Sequence, residues 1–194
     1  MLHSSPIRLI GITGRKFNGK DTLGNFFVTN NNFRRLAFAD ALKEACRCIF
    51  GFNDEQLYGN KKEVVDEFWK TSPRIILQYL GTDLFRNQLS TIMPHIGNDI
   101  WVEVIRKQIL DGWLLNRNTH FVVTDVRFPN EVKMIKDLGG IMLRVKRSNI
   151  NNSTDAHISE LHIDNLEVDE EILNNDTKEK LYENALSVIR HICS

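Results

Sequence analysis

The stretch IRLIGITGRKFNGKDT, Ile7–Thr22, is a short apolar run, then Gly-x-x-x-x-Gly-Lys, then the start of a helix. Ile7, Leu9, Ile10 and Ile12 suit a buried strand, and Leu23, Phe26 and Phe27 recur with helical spacing beyond it. Gly14, Gly19 and Lys20 stand at the spacing of a phosphate-cradling P-loop. In such a loop the backbone N–H groups and the N-terminus of the next helix attract anionic oxygens. The glycines admit a phosphate without a Cβ in the way, and Lys20 reaches its outer oxygens. The Ser or Thr that usually follows the lysine is replaced by Asp21, with Thr22 one place later. A ligand-free glycine turn is the competing reading, but it leaves Lys20 at the helix mouth unexplained.

Strand-like and helix-like segments alternate along the remaining chain. Phe33–Phe38, Phe121–Thr124, Ile141–Val145 and a short run near Ile172-Leu173 read as strands. Ala41–Phe50, closed by Gly51, reads as a helix. Ser72-Pro73 is a cap followed by a first-turn proline, and predicts a helix to Gly81, with a second helix from Asp83. Asn98-Asp99 caps Ile100–Leu115, Asn130–Leu138 ends at Gly139-Gly140, and a last helix covers Lys178–Cys193. This order predicts an α/β fold of the P-loop NTPase type: a five-stranded parallel sheet with helices on both faces. The 194 residues suit one domain, with ligands at the carboxyl ends of the strands. A helical insert at about 51–116 is too long for one crossover and suits a second substrate. The polar stretch at about 146–162 has the character of a lid loop.

Composition narrows the function by exclusion. With 25 basic and 25 acidic side chains the net charge is zero, against the basic excess of a non-specific nucleic-acid binder. No apolar run approaches a membrane span, and MLHSSPIRLIGIT lacks a signal-peptide layout. Cys46, Cys48 and Cys193 have no zinc spacing and read as reduced thiols of a cytoplasmic protein. The Asn-x-Ser/Thr triplets at Asn151, Asn152 and Asn175 then carry no weight as glycosylation sites.

Three further constellations carry chemistry. In FVVTDVRFPNE, Phe121–Glu131, a strand ends in Asp125, where an acid serves a metal, its waters or a second substrate. Arg127 can fork onto a phosphate there or pair with Glu131. Within the insert, Arg74, Gln78, Asp83 and Arg86 depart from the apolar positions Ile75, Ile76, Tyr79, Leu80 and Leu84. That pattern fits either a base edge and a monophosphate or a solvated helix face. Trp69 and Trp101 fit either base stacking or a core. Asp40 and Lys43 follow the second strand, toward the P-loop edge, with helix capping as the alternative for Asp40. Arg144 and Arg147 flank the lid, where an Arg neutralises charge in phosphoryl transfer. His157, Ser159 and Glu160 cluster without a nucleophile elbow, so no triad is assigned.

Taken together, GRKFNGKDT, FADALKE, SPRIILQYLGTDLFR, Asp99-Ile100-Trp101, VVTDVRFPNE, HISE and ILNNDT resemble the bacteriophage deoxynucleoside monophosphate kinases. The resemblance runs from Ile10 to about Leu181, and Gly-Lys-Asp-Thr is characteristic of that group, although the chain is short for it. It implies transfer of the ATP γ-phosphoryl group to a deoxynucleoside monophosphate, with Mg²⁺, for phage DNA precursor synthesis. It also implies small-molecule substrates without direct nucleic-acid binding, and a place in the host cytoplasm; relatives tend to form homodimers. On this reading Gly14, Arg15, Asn18, Gly19, Lys20, Asp21, Thr22, Arg144, Asn175 and Thr177 serve ATP. Asp21 and Thr22 serve the metal, directly or through water. Asp40, Lys43, Arg74, Gln78, Asp83, Arg86, Trp101, Asp125 and Arg127 serve the acceptor, and Lys20, Asp125, Arg127 and Arg147 the transfer. A P-loop kinase for another phosphorylated metabolite, such as dephospho-coenzyme A or phosphomevalonate, is the alternative. A nucleotide switch is disfavoured, because Asn60-Lys61-Lys62-Glu63 lacks the final Asp of a GTPase motif and precedes Asp125.

Overall fold

The computed structural model describes residues 7–148 and 163–193. His157, Ser159, Glu160, Asn151, Asn152 and most of the expected lid lie outside the described residues. Two compact units are formed, one from Met1–Ala37 with Arg106–Ser194, the other from Phe38–Ile105. No helix among the described residues is long and apolar enough to cross a membrane.

The first unit is built on five strands: β1 (Leu9–Thr13), β2 (Phe33–Leu36), β3 (His120–Val123), β4 (Ile141–Lys146) and β5 (Glu170–Leu173). All pairings are parallel, in the order β2-β3-β1-β4-β5. Every residue of β1 is buried, as expected of a central parallel strand covered on both faces. On one face α1 (Lys20–Asn31) and the C-terminal helix Lys178–Cys193 bring Phe26, Phe27, Leu181 and Ala185 onto Ile10, Ile12, Val122, Leu143 and Val145. Tyr182 stacks on Phe26 with ring centroids 4.2 Å apart. On the other face, Met142 and Ile135 press so close to Gly11 that a Cβ there would lie 2.3 Å from the Met142 sulfur. The chain leaves β1 for the β2–β3 side and returns to β4 on the other. The end of β1 is therefore the switch point at which parallel α/β sheets bind ligands.

The second unit is helical: α2 (Asp40–Phe50), the short α3 (Asp54–Leu57), α4 (Pro73–Gln78) and the start of α5 (Ile100–Leu115). Asn53 and Gln56 close a reciprocal cap at the start of α3, a helix the sequence reading did not anticipate. Ser72 caps α4 as expected, its hydroxyl accepting from the Ile75 amide. The expected stop at Gly81 is not there. The helix continues without a break as a π-helical segment, Tyr79–Gln88, whose last bond runs from the Leu89 N–H to the Leu84 carbonyl. Gly81 is a contact point instead of a terminus: a Cβ there would stand 2.9 Å from the side chain of Leu42 in α2. The second strand also ends earlier than expected, at Leu36, and Ala37 and Phe38 turn inward as core residues before α2. In chain order, the helix over Pro129–Asp137 is α6 and the C-terminal helix is α7.

Candidate active site

The loop between β1 and α1 has the backbone that its glycines permit. Gly19 sits at φ 98° as the cap of α1, and a Cβ there would fall 2.3 Å from the side-chain nitrogen of Asn174. Gly14, at φ 154°, lies under the Val145 carbonyl, 2.7 Å from where its Cβ would be. Phe17 is also left-handed, at φ 67°, with its ring in solvent and the Lys16 ammonium 4.9 Å from the ring centre. Holding a non-glycine residue there costs about 1–3 kcal/mol, so the surroundings must enforce the loop.

Two asparagines do so. Buried Asn18 donates its amide to the Val145 carbonyl at 3.0 Å. Buried Asn174, just past β5, donates to the Asn18 carbonyl at 2.8 Å, while its own N–H bonds the Lys146 carbonyl at 2.8 Å. The loop is thus tied to the carboxyl ends of β4 and β5. In the first turn of α1, the N–H groups of Lys20, Asp21 and Thr22 have no acceptor among the described residues. That is the usual condition of a helix N-terminus and the basis of its attraction for anions. Half-buried Lys20 forms no ion pair among the described residues, and Asp21 is exposed at its side. Arg15 is paired with Asp164 at 2.5 Å.

The β3 end supplies a second set. Thr13, at the end of β1, and Thr124, just past β3, are buried hydroxyls without a hydrogen-bond partner among the described residues. Asp125 and Arg127 follow, both half-buried. Glu131, only 2% exposed, was missed by the sequence reading except as a surface partner for Arg127. Its carboxylate instead accepts from the backbone N–H groups of Arg127 at 2.7 Å and Phe128 at 3.1 Å. It fixes the turn, and the Arg127 guanidinium has no acidic partner among the described residues. Phe-Pro-Asn-Glu, with Pro at the first helical position and Glu at the third, was the available signal.

Arg144 requires a correction. It lies inside β4, not beside a loop, and is 6% exposed. Its guanidinium donates to Glu171 at 2.6 Å, to the Ile163 carbonyl at 3.2 Å and to the Leu166 carbonyl, so it braces the β4–β5 edge. Lys146 and Arg144 together hold the Glu171 carboxyl below its usual range by hydrogen bonding. Arg147 is exposed one residue beyond β4. Asn175 is exposed and exchanges hydrogen bonds with Ser148, at 2.7 and 2.8 Å. The Thr177 hydroxyl accepts from the Lys180 N–H at 3.3 Å, at the start of α7.

In the second unit, Asp40 opens α2 and Lys43 lies over the Tyr58 ring at 3.9 Å. Arg74 sits 3.4 Å from Glu63, Gln78 and Asp83 are exposed, and Arg86 is half-buried. Trp101 is not an open stacking platform. It is 8% exposed, packs on Phe85 at 5.3 Å between centroids, and donates its indole N–H to the Gly81 carbonyl at 2.9 Å. Trp69 is partly exposed, edge-on to Phe50 and Phe68, with its N–H on the Phe50 carbonyl at 2.9 Å.

Hard oxygen donors near the P-loop, Asp21, Thr22 and Asp125, suit Mg²⁺. Among the described residues no group of three or more His, Cys, Asp or Glu could cage an ion. A parallel sheet with a clasped P-loop at its switch point and a cationic helix mouth defines a P-loop enzyme of phosphoryl transfer.

Comparison with known proteins narrows the class. The family model for deoxynucleotide monophosphate kinase matches residues 49–185. A protein of Acanthamoeba polyphaga mimivirus named "Putative deoxynucleotide monophosphate kinase" is 38% identical over 185 residues, 93% of this chain and 95% of that one. The deoxynucleotide monophosphate kinase of Escherichia phage RB69 is 28% identical over 142 residues, 73% of this chain and 54% of that one. Among solved structures, shikimate kinase from Aquifex aeolicus shares the fold, with a TM-score of 0.51 at 13% identity, covering 95% of this chain and 97% of that chain. The chain belongs to the deoxynucleotide monophosphate kinase family and is an ATP-dependent phosphotransferase.

Proposed function

We propose that this chain transfers the γ-phosphoryl group of ATP to a deoxynucleoside monophosphate, giving a deoxynucleoside diphosphate and ADP. The carrying observation is the P-loop held by Asn18 and Asn174, with Lys20 left without an ion pair among the described residues. Gly14–Thr22 cradles the donor phosphates, and Lys20 offsets charge on the migrating group. Mg²⁺, served by Asp21, Thr22 and Asp125 directly or through water, would neutralise charge on the phosphate oxygens. In the first unit Arg127, its backbone fixed by Glu131, is assigned to phosphate, and in the second unit Arg74 and Arg86 are assigned to the acceptor. Gln78, Asp83, Asp40 and Lys43 address its sugar and base, and Arg147 the γ-phosphoryl. An acceptor phosphate oxygen forms a bond to the γ-phosphorus as the bond to the ADP oxygen breaks. The protein supplies positioning and charge, with no covalent intermediate.

A coupled assay of ADP release with each deoxynucleoside monophosphate tests this. Lys20→Ala is expected to lose at least about a hundredfold in kcat, as removal of a donor to developing charge does in other enzymes. Wild-type turnover in that variant would refute the P-loop assignment. Arg74→Ala should raise the KM for the monophosphate far more than that for ATP. Equal effects on both would remove Arg74 from the acceptor site. Turnover only with a non-nucleotide acceptor would reject the substrate class.

A further inference from the structure

The change of winding at Gln78–Tyr79 decides which side chains share a face. In an α-helix, residues four apart are offset by roughly 40° at 3.6 residues per turn, so Arg74, Gln78, Thr82 and Arg86 would spread round the helix. With i→i+5 bonding a turn takes more than four residues, and a four-residue step falls short of a full turn. The drift then reverses sign. The step from Arg74 to Gln78 is α-helical, and those to Thr82 and Arg86 are π-helical. The opposite drifts offset one another, and the four residues gather in one stripe. Phe85 lies off that stripe and packs on buried Trp101.

Departures from the regular i→i−4 ladder occur where an outside group engages the helix backbone. The Trp101 indole N–H does this at Gly81, 2.9 Å away, three residues into the wide segment. Gly81 has no side chain to block the approach, and Leu42 occupies the space a Cβ would take. We propose that Trp101 is a positioning residue: through the Gly81 carbonyl it holds the wide winding that places Thr82 with Arg74, Gln78 and Arg86 as one polar stripe for the acceptor nucleotide. Thr82 then becomes a fourth contact to the monophosphate, its hydroxyl between an amide and a guanidinium. This rests on the reading of the second unit as the acceptor side.

The test is Trp101→Phe, which keeps the ring against Phe85 and removes only the donor. The KM for the deoxynucleoside monophosphate should rise about fivefold, the worth of one hydrogen bond, while kcat and the KM for ATP stay within twofold. Thr82→Val, at an exposed position, should raise the same KM about threefold and keeps the proposal testable if Trp101→Phe folds poorly. In the double variant the two effects should fall short of their product, because both act through one stripe. Amide hydrogen exchange over 82–89 should quicken in Trp101→Phe and not in Thr82→Val. An unchanged monophosphate KM in both single variants, or a full product in the double, overturns the positioning role. If Arg74→Ala also leaves that KM unchanged, the acceptor reading itself falls. If Arg74→Ala raises it and Trp101→Phe and Thr82→Val do not, only the positioning role falls.

Discussion

Asn174 shows how narrowly a single side chain can decide a site. By position after the last strand, ILNNDT points to Asn175 and Thr177 as the nucleotide-facing residues. Asn174 and Asn175 are adjacent, yet they meet different surroundings: Asn174 is buried against the P-loop, whereas Asn175 is exposed beside Ser148. The burial of Asn174 depends on β5 ending at Leu173, a boundary that no local feature of ILNNDT marks. Removing the Asn174 amide frees the Asn18 carbonyl and loosens a loop that holds Phe17 left-handed. Asn174→Ala should therefore raise the KM for ATP about tenfold, one to two hydrogen bonds' worth. The KM for the monophosphate should stay within twofold. Steady-state kinetics with each substrate varied in turn checks this, and an unaltered ATP KM would mean the loop keeps its shape without the clasp. Glu131 carries the same lesson. Its spacing from Arg127 suggested an ion pair, but burial turned the carboxylate toward two backbone N–H groups.

Elements were legible where burial is two-sided. Strands β1, β3 and β4 and the helices after Lys20, Ser72, Asp99 and Pro129 follow from apolar runs, helical spacing and capping residues, whereas the edge strands β2 and β5, FRRL and EEIL, keep charged residues exposed and are legible only from their place in the alternation. Glycine was the weaker guide, because it marks a helix end in sequence but also marks close packing. Gly81 was read as a stop and proved to be a contact. Gly24 is a second such glycine, inside α1. Replacing a helix-interior glycine by alanine ordinarily stabilises by about 1 kcal/mol. Here a Cβ would stand 2.4 Å from the Thr124 methyl group, at the buried end of β3. Helix α1 must then back away from the sheet, or Thr124 must shift in a packed site. We expect Gly24→Ala to destabilise the protein by about 1–3 kcal/mol, the usual cost of overpacking. Urea denaturation measures it, and a gain in stability would show that α1 and β3 are less tightly apposed than the structure has them.

At the scale of the whole molecule, the proposed function gives the donor to the phosphate loop of the β-sheet unit and most of the acceptor contacts to the helical unit. The parallel sheet, its switch point and the phosphate loop could be read from the sequence, because strand burial and P-loop spacing are local signals. The π-helical winding could not, because it depends on Trp101 meeting a carbonyl twenty residues away. Substrate division has a consequence that each ligand alone should show. Binding slows amide exchange where backbone is immobilised. A non-hydrolysable ATP analogue with Mg²⁺ should protect 13–24 and the amides near Asn174 in the first unit. A deoxynucleoside monophosphate alone should protect 74–88 in the second unit and leave 13–24 within error of the free protein. Lys20→Ala should abolish the first pattern and keep the second, while Arg74→Ala should do the reverse. Protection of the P-loop by the monophosphate alone, with 74–88 unmoved, would place both nucleotides on the β-sheet unit. The polar stripe of the second unit would then be a solvated face and nothing more.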